Sequence, residues 1–384
     1  MDSGRRRRGP GKPTAASGKA RQFRVLDRWS CRAVPWLLCL WLSGCVNLGY
    51  YHQMATGQLQ LLRQREPTTQ VLSDQRRDPQ LRARLGVAVQ ARHFASQVLR
   101  LPDNRSYLSY VELDRPHVLW SLMATPEFSV EASPQCFPLA GCVAYRGYFR
   151  LELAEAAAAR LRARGLDVWL GGVDAYSSLG WFADPLLSSM LRRDDEQLAG
   201  LIFHELAHQR FYLPGDTAFN ESYASFAERQ GLREWRARRG LPAPDGAAEQ
   251  RLRAFVALIL DTRERLRVLY AAPRSVEALR QAKAEALAQL RADYRRLREA
   301  DQVANFDRFM AGPLNNASLL PFALYDQWVP AFARLFAEVG EDWSAFHEAV
   351  RQLGGVSAEQ RRSRLAALQG DGELDRPPTG TEDP

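Results

Sequence analysis

The residues best suited to chemistry lie in Leu201-Ile-Phe-His204-Glu205-Leu-Ala-His208-Gln209. Two histidines four residues apart fall on one face of a helix, one turn apart, so both imidazoles can reach a single metal ion. Glu205 follows the first of them, which aims a carboxylate at a water on that metal. Zinc lowers the pKa of bound water to about 7. Glu205 can then accept the proton as hydroxide attacks a carbonyl, and pass it to a leaving amine. Leu201, Ile202, Leu206 and Ala207 bury the helix in a core, where two histidines without a ligand would need other partners. A third ligand must come from elsewhere, and Asp216-Thr-Ala-Phe-Asn220-Glu221-Ser-Tyr-Ala-Ser-Phe-Ala-Glu228 offers two carboxylates, Glu221 and Glu228, on one helix face.

The elements that must hold these residues follow from pattern. From residue 53 to about 100 the texture is helical, broken near Pro67 and Asp78, with Leu81, Leu85, Val89, His93 and Val98 at roughly helical spacing. Residues 118–125 and 142–149 are rich in β-formers, a helix over 151–164 ends at Gly165, and 166–170 is a short strand. Asp194 or Asp195 caps a helix running to about Tyr212, stopped by Pro214-Gly215, and a second runs from about Ala218 towards Arg238. Charged amphipathic helices follow at about 247–271 and 275–300, expected to form a solvated bundle behind the site. Shorter helices reach about Gln369. This predicts an α+β chain with a small mixed sheet before the active-site helix and a mainly helical second half. The stretch 370–384, poor in apolar residues, is expected to be a disordered tail.

The 384-residue chain carries a net charge of +8, and residues 1–44, with ten Lys/Arg and two acids, account for all of it. The remainder is neutral, which excludes a nucleic-acid-binding reading of the basic composition. Residues 1–44 have the parts of a secretory signal: a basic region, an apolar run over 33–42, too short to span a membrane, and small residues before Cys45. Of the five cysteines, Cys31 and Cys39 fall in this leader. Cys136 and Cys142, on a Pro/Gly-punctuated loop in an exported chain, are expected to form a disulfide.

Leu42-Ser43-Gly44-Cys45 resembles the bacterial lipoprotein lipobox. That resemblance implies a diacylglycerol thioether on Cys45, a mature chain beginning there and, with Val46 next, an outer-membrane anchor facing the periplasm. The length of the mature part suits one large domain or two closely packed ones, and one domain over 45–369 is expected. H-E-L-A-H-Q followed by an N-E-x-x-A-x-x-x-E helix resembles the gluzincin metallopeptidases, in particular the zinc aminopeptidases. The combination of Cys136-Phe-Pro-Leu-Ala-Gly-Cys142-Val-Ala-Tyr145-Arg-Gly-Tyr-Phe149, H-E-L-A-H-Q, Gly215-Asp-Thr-Ala-Phe-Asn-Glu221 and Leu314-Asn-Asn-Ala317 more closely resembles the bacterial family of putative aminopeptidases, over about residues 45–365. It implies a zincin-like fold, Zn2+ as cofactor, a peptide or protein substrate, and Glu221 as third ligand. Glu228 then hydrogen-bonds a ligand histidine, although it remains the rival ligand. The 13 residues from His208 to Glu221 are fewer than in the zinc aminopeptidases, so the connection must be tight. Those enzymes carry a G-x-M-E-N stretch whose acid binds the substrate's free amine. This sequence has none, which leaves exo- against endopeptidase action open.

By the same resemblance a downstream tyrosine, Tyr325, donates to the oxyanion, with Tyr176, Tyr145 and Tyr148 as competitors. Asn315 and Asn316 cap a helix in preference to touching substrate. Tyr176–Phe182 is either a substrate rim or an ordinary strand-to-helix connection. Two other functions compete: an envelope quality-control or assembly factor that binds unfolded protein without turnover, and a scaffold that uses the helices at 247–300. No feature of the sequence speaks to oligomeric state.

Overall fold

The computed structural model describes residues 48–137, 141–242, 246–301 and 306–370. The chain divides into two units between His52 and Gln53. Of the first only 48–52 are described, as helix. Residues 1–47, which hold the expected leader and Cys45, and residues 371–384 lie outside the described residues.

The second unit is mixed α+β and mostly helical. Its strands form three small sheets, not the single mixed sheet that the texture predicts. β1 (Glu66–Pro67) pairs antiparallel with β2 (Ser109–Val111), which pairs parallel with β8 (Leu186–Leu187). β3 (Leu119–Thr125) lies antiparallel between β6 (Tyr145–Tyr148) and β7 (Asp167–Val173). β4 (Gln135–Phe137) and β5 (Gly141–Val143) make a hairpin with Cys136 opposite Cys142, and a disulfide joins the two. The stretch 142–149, expected as one strand, breaks at Ala144. The Ala144 N–H leaves the ladder and donates to Thr217 Oγ1 at 3.2 Å, so β5 and β6 take different partners.

The helical breaks fall where proline and capping residues put them. α1 (53–63) precedes β1, and α2 (Thr68–Ser73) follows Pro67. α3 (Pro79–Gln97) starts with its proline at the first position, and Asp78 accepts from the Gln80 N–H at 2.8 Å. The buried stripe of α3 is Leu85, Ala88, Ala91 and Ala95; His93 is exposed. α4 (Leu151–Ala163) closes at Gly165, which takes φ +79°. α5 (Asp195–Arg210) packs on α3 and on α6 (Thr217–Arg238), and the small side chains of α3 let the helices approach closely. α7 (Gly246–Ala271) and α8 (Val276–Asp301) enclose a second apolar cluster that includes Phe255, Ile259 and Leu290. Lys283 anchors this pair to the β-region, donating to Asp167 Oδ2 at 2.6 Å and to the Glu127 carbonyl at 2.9 Å.

α9 (Asp307–Ala311), α10 (Leu320–Asp326), α11 (Val329–Glu338), α12 (Trp343–Gly355) and α13 (Ala358–Gln369) complete the chain. Asn315 caps the 3-10 turn before α10 in a reciprocal capping box with Ser318. Asn316 bonds Tyr270, Asp167 and the Glu127 carbonyl. Both asparagines are therefore structural.

α12 is held to the main core by His347, which is buried. Its Nε2 donates to the Leu99 carbonyl at 2.8 Å, which can only accept, so Nδ1 accepts from the Tyr223 hydroxyl at 2.9 Å. The bond from Tyr223 needs an unprotonated Nδ1 and hence a neutral ring, and burial holds the ring's pKa down at about 4. An unfolded histidine takes up its proton near pH 6.5, so between those values the unfolded chain binds the extra proton. The contribution is complete above pH 6.5 and disappears as pH falls to about 4, worth up to about 3 kcal/mol. Urea unfolding across that window should show the loss in the wild type and not in His347→Gln. Equal slopes in both would refute the assignment.

Candidate metal centre

The site rests on two antiparallel helices and the turn between them. Asp194 caps α5, its carboxylate accepting from the Gln197 N–H at 2.7 Å, and acids in the first turn suit the positive end of the helix dipole. α5 stops at Arg210, two residues before the expected Tyr212. Gly215 then takes φ +87°, and Asp216 caps α6 through the Phe219 N–H at 3.1 Å. Asn220, almost wholly buried, clamps the turn: its Oδ1 accepts from the Leu213 N–H and its Nδ2 donates to the Leu213 carbonyl, each at 2.8 Å. This clamp lets 13 residues suffice between His208 and Glu221.

The turn brings His204, His208 and Glu221 into one buried cluster that could hold a metal ion. The two Nε2 atoms are 3.2 Å apart, and Glu221 Oε2 is 3.4 Å from each. Tetrahedral zinc ligands with bonds of about 2.0–2.1 Å stand about 3.3–3.4 Å apart, so these spacings fit. Glu221 Oε2 is buried and has no hydrogen-bond partner, which is costly unless a cation completes the set. Glu228 Oε2 lies 3.1 Å from His204 Nδ1. A proton there leaves Nε2 bare and turned to the cluster. The structure thus places Glu221 among the histidine nitrogens and Glu228 behind His204.

Burial opposes charge on His204, but the Glu221 and Glu228 carboxylates outweigh it and raise its pKa to about 10. Burial also opposes charge on Glu221, where His208 and His204 win and hold the carboxyl well below its usual range. These carboxylates demand positive charge, which a divalent ion supplies more fully than one proton. Glu205, on the same helix, is buried, and its carboxylate makes no hydrogen bond or ion pair among the described residues. Burial pushes its carboxyl up against the pull of His204 and His208, which suits a group that must accept a proton near neutral pH.

Two tyrosines face Glu221. Tyr325 of α10 stacks on His204, with centroids 5.8 Å apart, and Tyr145 of β6 donates to Glu221 Oε1 at 3.5 Å. Burial first, then Glu221, raises the pKa of both hydroxyls well above 10, so both stay protonated. Of the other competitors, Tyr148 lies beneath the Arg146 guanidinium and Tyr176 bonds Gln58. The 176–182 segment is a loop with Trp181 and Phe182 exposed, and Ser178 N–H ties it to Asp184. Asp184 in turn bonds Gln209, one turn along α5 from Glu205. The sequence gives no reason to single out Asp184 or Tyr107, which lies beside it. A left-handed backbone at a tyrosine, as at Tyr107, has no signature in the residue type.

A family model described as "Putative aminopeptidase" matches residues 49–365. The chain belongs to that family. The match spans the β-region, both helices of the metal cluster and α10, so every residue named at the site lies inside the aminopeptidase-family region. Searches of curated proteins and of solved structures returned no match. Because Asn220 sets the turn on which the aminopeptidase-family cluster depends, Asn220→Ala should cost about 2 kcal/mol or more by stranding Leu213 backbone groups. Equilibrium denaturation measures this, and a change below about 0.5 kcal/mol would remove the clamp from the account.

Proposed function

We propose that this family member is a zinc metallopeptidase of gluzincin type with a zincin-like fold, in which His204, His208 and Glu221 hold Zn2+ and Glu205 is the general base. The observation that carries the reading is the orphaned, buried Glu221 Oε2 within 3.4 Å of both histidine Nε2 atoms. Two nitrogens and one carboxylate oxygen are a donor set that suits zinc and leaves one position open for catalysis. When bound, zinc supplies Lewis acidity, acidifying a coordinated water and polarising the carbonyl of the scissile bond.

The remaining steps belong to the chain. Glu205 takes the proton from water during attack and delivers it to the departing amine, which breaks the C–N bond. The Tyr325 and Tyr145 hydroxyls, kept protonated by their surroundings, can donate to the oxygen on which negative charge develops. Glu228 orients His204, and burial of the cluster excludes bulk water from the charges.

Glu205→Gln should retain about one zinc per chain and lose peptide hydrolysis by at least a hundredfold. Glu221→Gln should lose the metal, whereas Glu228→Gln should keep it with affinity lowered about 10–100-fold. Metal analysis beside a peptide-cleavage assay separates these results. Zinc in the wild type without cleavage of any peptide would favour the envelope binding factor instead, and no zinc at all would end the metal reading.

Anchoring at the periplasmic face of the outer membrane through lipidated Cys45 belongs to the same proposal and rests on the lipobox-like sequence. Cys45→Ser should move the protein from the membrane to the soluble periplasmic fraction. An unchanged distribution would count against the anchor.

A further inference from the structure

α6 carries more of the site than the two carboxylates it turns to the histidines. Glu221 and Glu228 are two helical turns apart and share a face. Ser222 and Arg229, each one residue later, form a second row turned by about 100° around the helix. That second row meets α10, which packs on α6. Ser222 is fully buried, and its hydroxyl donates to the Leu324 carbonyl at 3.3 Å and accepts from the Trp328 N–H at 3.1 Å. The Arg229 guanidinium donates to Asp326 Oδ1. Leu324, Asp326 and Trp328 are thus all tied to α6, and Tyr325 lies among them.

Asp326 is placed against its own electrostatic preference. It ends α10, where the bare carbonyls of the last turn disfavour an acid, and its side chain is only 12% exposed. A carboxylate in such a position needs a cation, and Arg229 supplies it. The same guanidinium acts on the metal cluster. Burial opposes charge on Glu228, and His204 first, then Arg229, keep its carboxyl below the usual range. One cation therefore serves both the carboxylate behind His204 and the carboxylate next to Tyr325. The start of α10 is held separately on β7. Asn315 Nδ2 donates to the Val168 carbonyl at 3.2 Å, and the Asn316 N–H donates to Asp167 Oδ2 at 2.9 Å. With that end fixed, the contacts at 324–328 decide where the Tyr325 ring stands over His204, its plane 23° from parallel.

We propose that the Arg229–Asp326 ion pair, braced by Ser222, positions Tyr325 for the reaction by keeping its phenol stacked on His204 and its hydroxyl beside Glu221. Arg229 and Asp326 act through Tyr325 and are positioning residues. Because α6 holds both Glu221 and the end of α10, a movement of α6 carries the carboxylate and the tyrosine together and preserves their mutual geometry. A group that donates to a developing oxyanion loses its effect when displaced by about 1 Å, so the rate depends on a pair that never meets the reacting atoms. The proposal rests on the peptidase reading above, but one arm of its test needs no turnover.

The first arm reads the position of Tyr325 directly. Nitration of the full-length chain by tetranitromethane, followed by peptide mapping, should modify Tyr325 slowly in the wild type. It should run about threefold faster or more in Arg229→Gln and in Asp326→Asn, each of which removes one charge and keeps the shape, because the freed phenol leaves Glu221 for water. The second arm reads the rate. In zinc-loaded protein Arg229→Gln should lower kcat for a peptide substrate about tenfold, with KM within about twofold and zinc content unchanged. In a Tyr325→Phe background the same substitution should change kcat by less than about twofold, since the residue it positions is gone. Arg229→Lys should recover most of the rate. Unchanged nitration of Tyr325 in either folded variant, or a kcat loss that persists in full without the Tyr325 hydroxyl, would overturn the proposal. Faster nitration in a protein that cleaves no peptide would uphold the positioning of Tyr325 and sink the peptidase reading alone.

Discussion

Two imidazole nitrogens and a carboxylate oxygen stand 3.2–3.4 Å apart in the interior of this protein. One proton shared between the histidines leaves Glu221 Oε2 without a donor, and protons on both Nε2 atoms set two N–H groups against each other at 3.2 Å. Positive charge at the centre resolves the conflict. The architecture around the cluster then reads as what is needed to keep three such atoms together: close packing of α5 on α3 through alanines, a six-residue turn, and a carboxylate behind His204 that fixes which nitrogen is bare. Charges this deep interact strongly because little water screens them, so a small shift of α6 against α5 would be felt at once in the charge balance of the cluster.

Much of this was legible in the sequence because local rules and site chemistry coincided there. The i, i+4 histidines require a helix, the buried face was visible in Ile202, Leu206 and Ala207, and Pro214-Gly215 predicted the turn. Glu221 and Glu228 were separable only through the family resemblance, since their spacing places both on one face. What sets Glu221 beside the histidine Nε2 atoms is the turn, whose clamp by Asn220 is a contact to backbone that no pattern of side chains reveals. The strand region was misjudged for a related reason. Residues 142–149 have uniform β-forming texture, and the break at Ala144 comes from Thr217, 73 residues on, a long-range hydrogen bond that overrides local preference.

That strand break joins the two halves of the site. With its N–H given to Thr217, Ala144 pins the start of α6 just as Asp216 caps it, and Arg361 holds Asp216 from α13 at 2.9–3.0 Å. The next residue, Tyr145, is then delivered to Glu221 from the sheet side while Tyr325 arrives from α10. On the other side of the break, Gly141 lies against the α5–α6 turn so closely that a Cβ would meet Gly215 N at 2.8 Å. Its φ of +71° also favours glycine. The Cys136–Cys142 hairpin therefore abuts the turn that sets the spacing of His208 and Glu221. A disulfide here restricts a strand segment that both supports that turn and carries a tyrosine to the Glu221 carboxylate. Its structural consequence is local: it fixes where β5 ends, and so where β6 begins to follow β3 and present Tyr145.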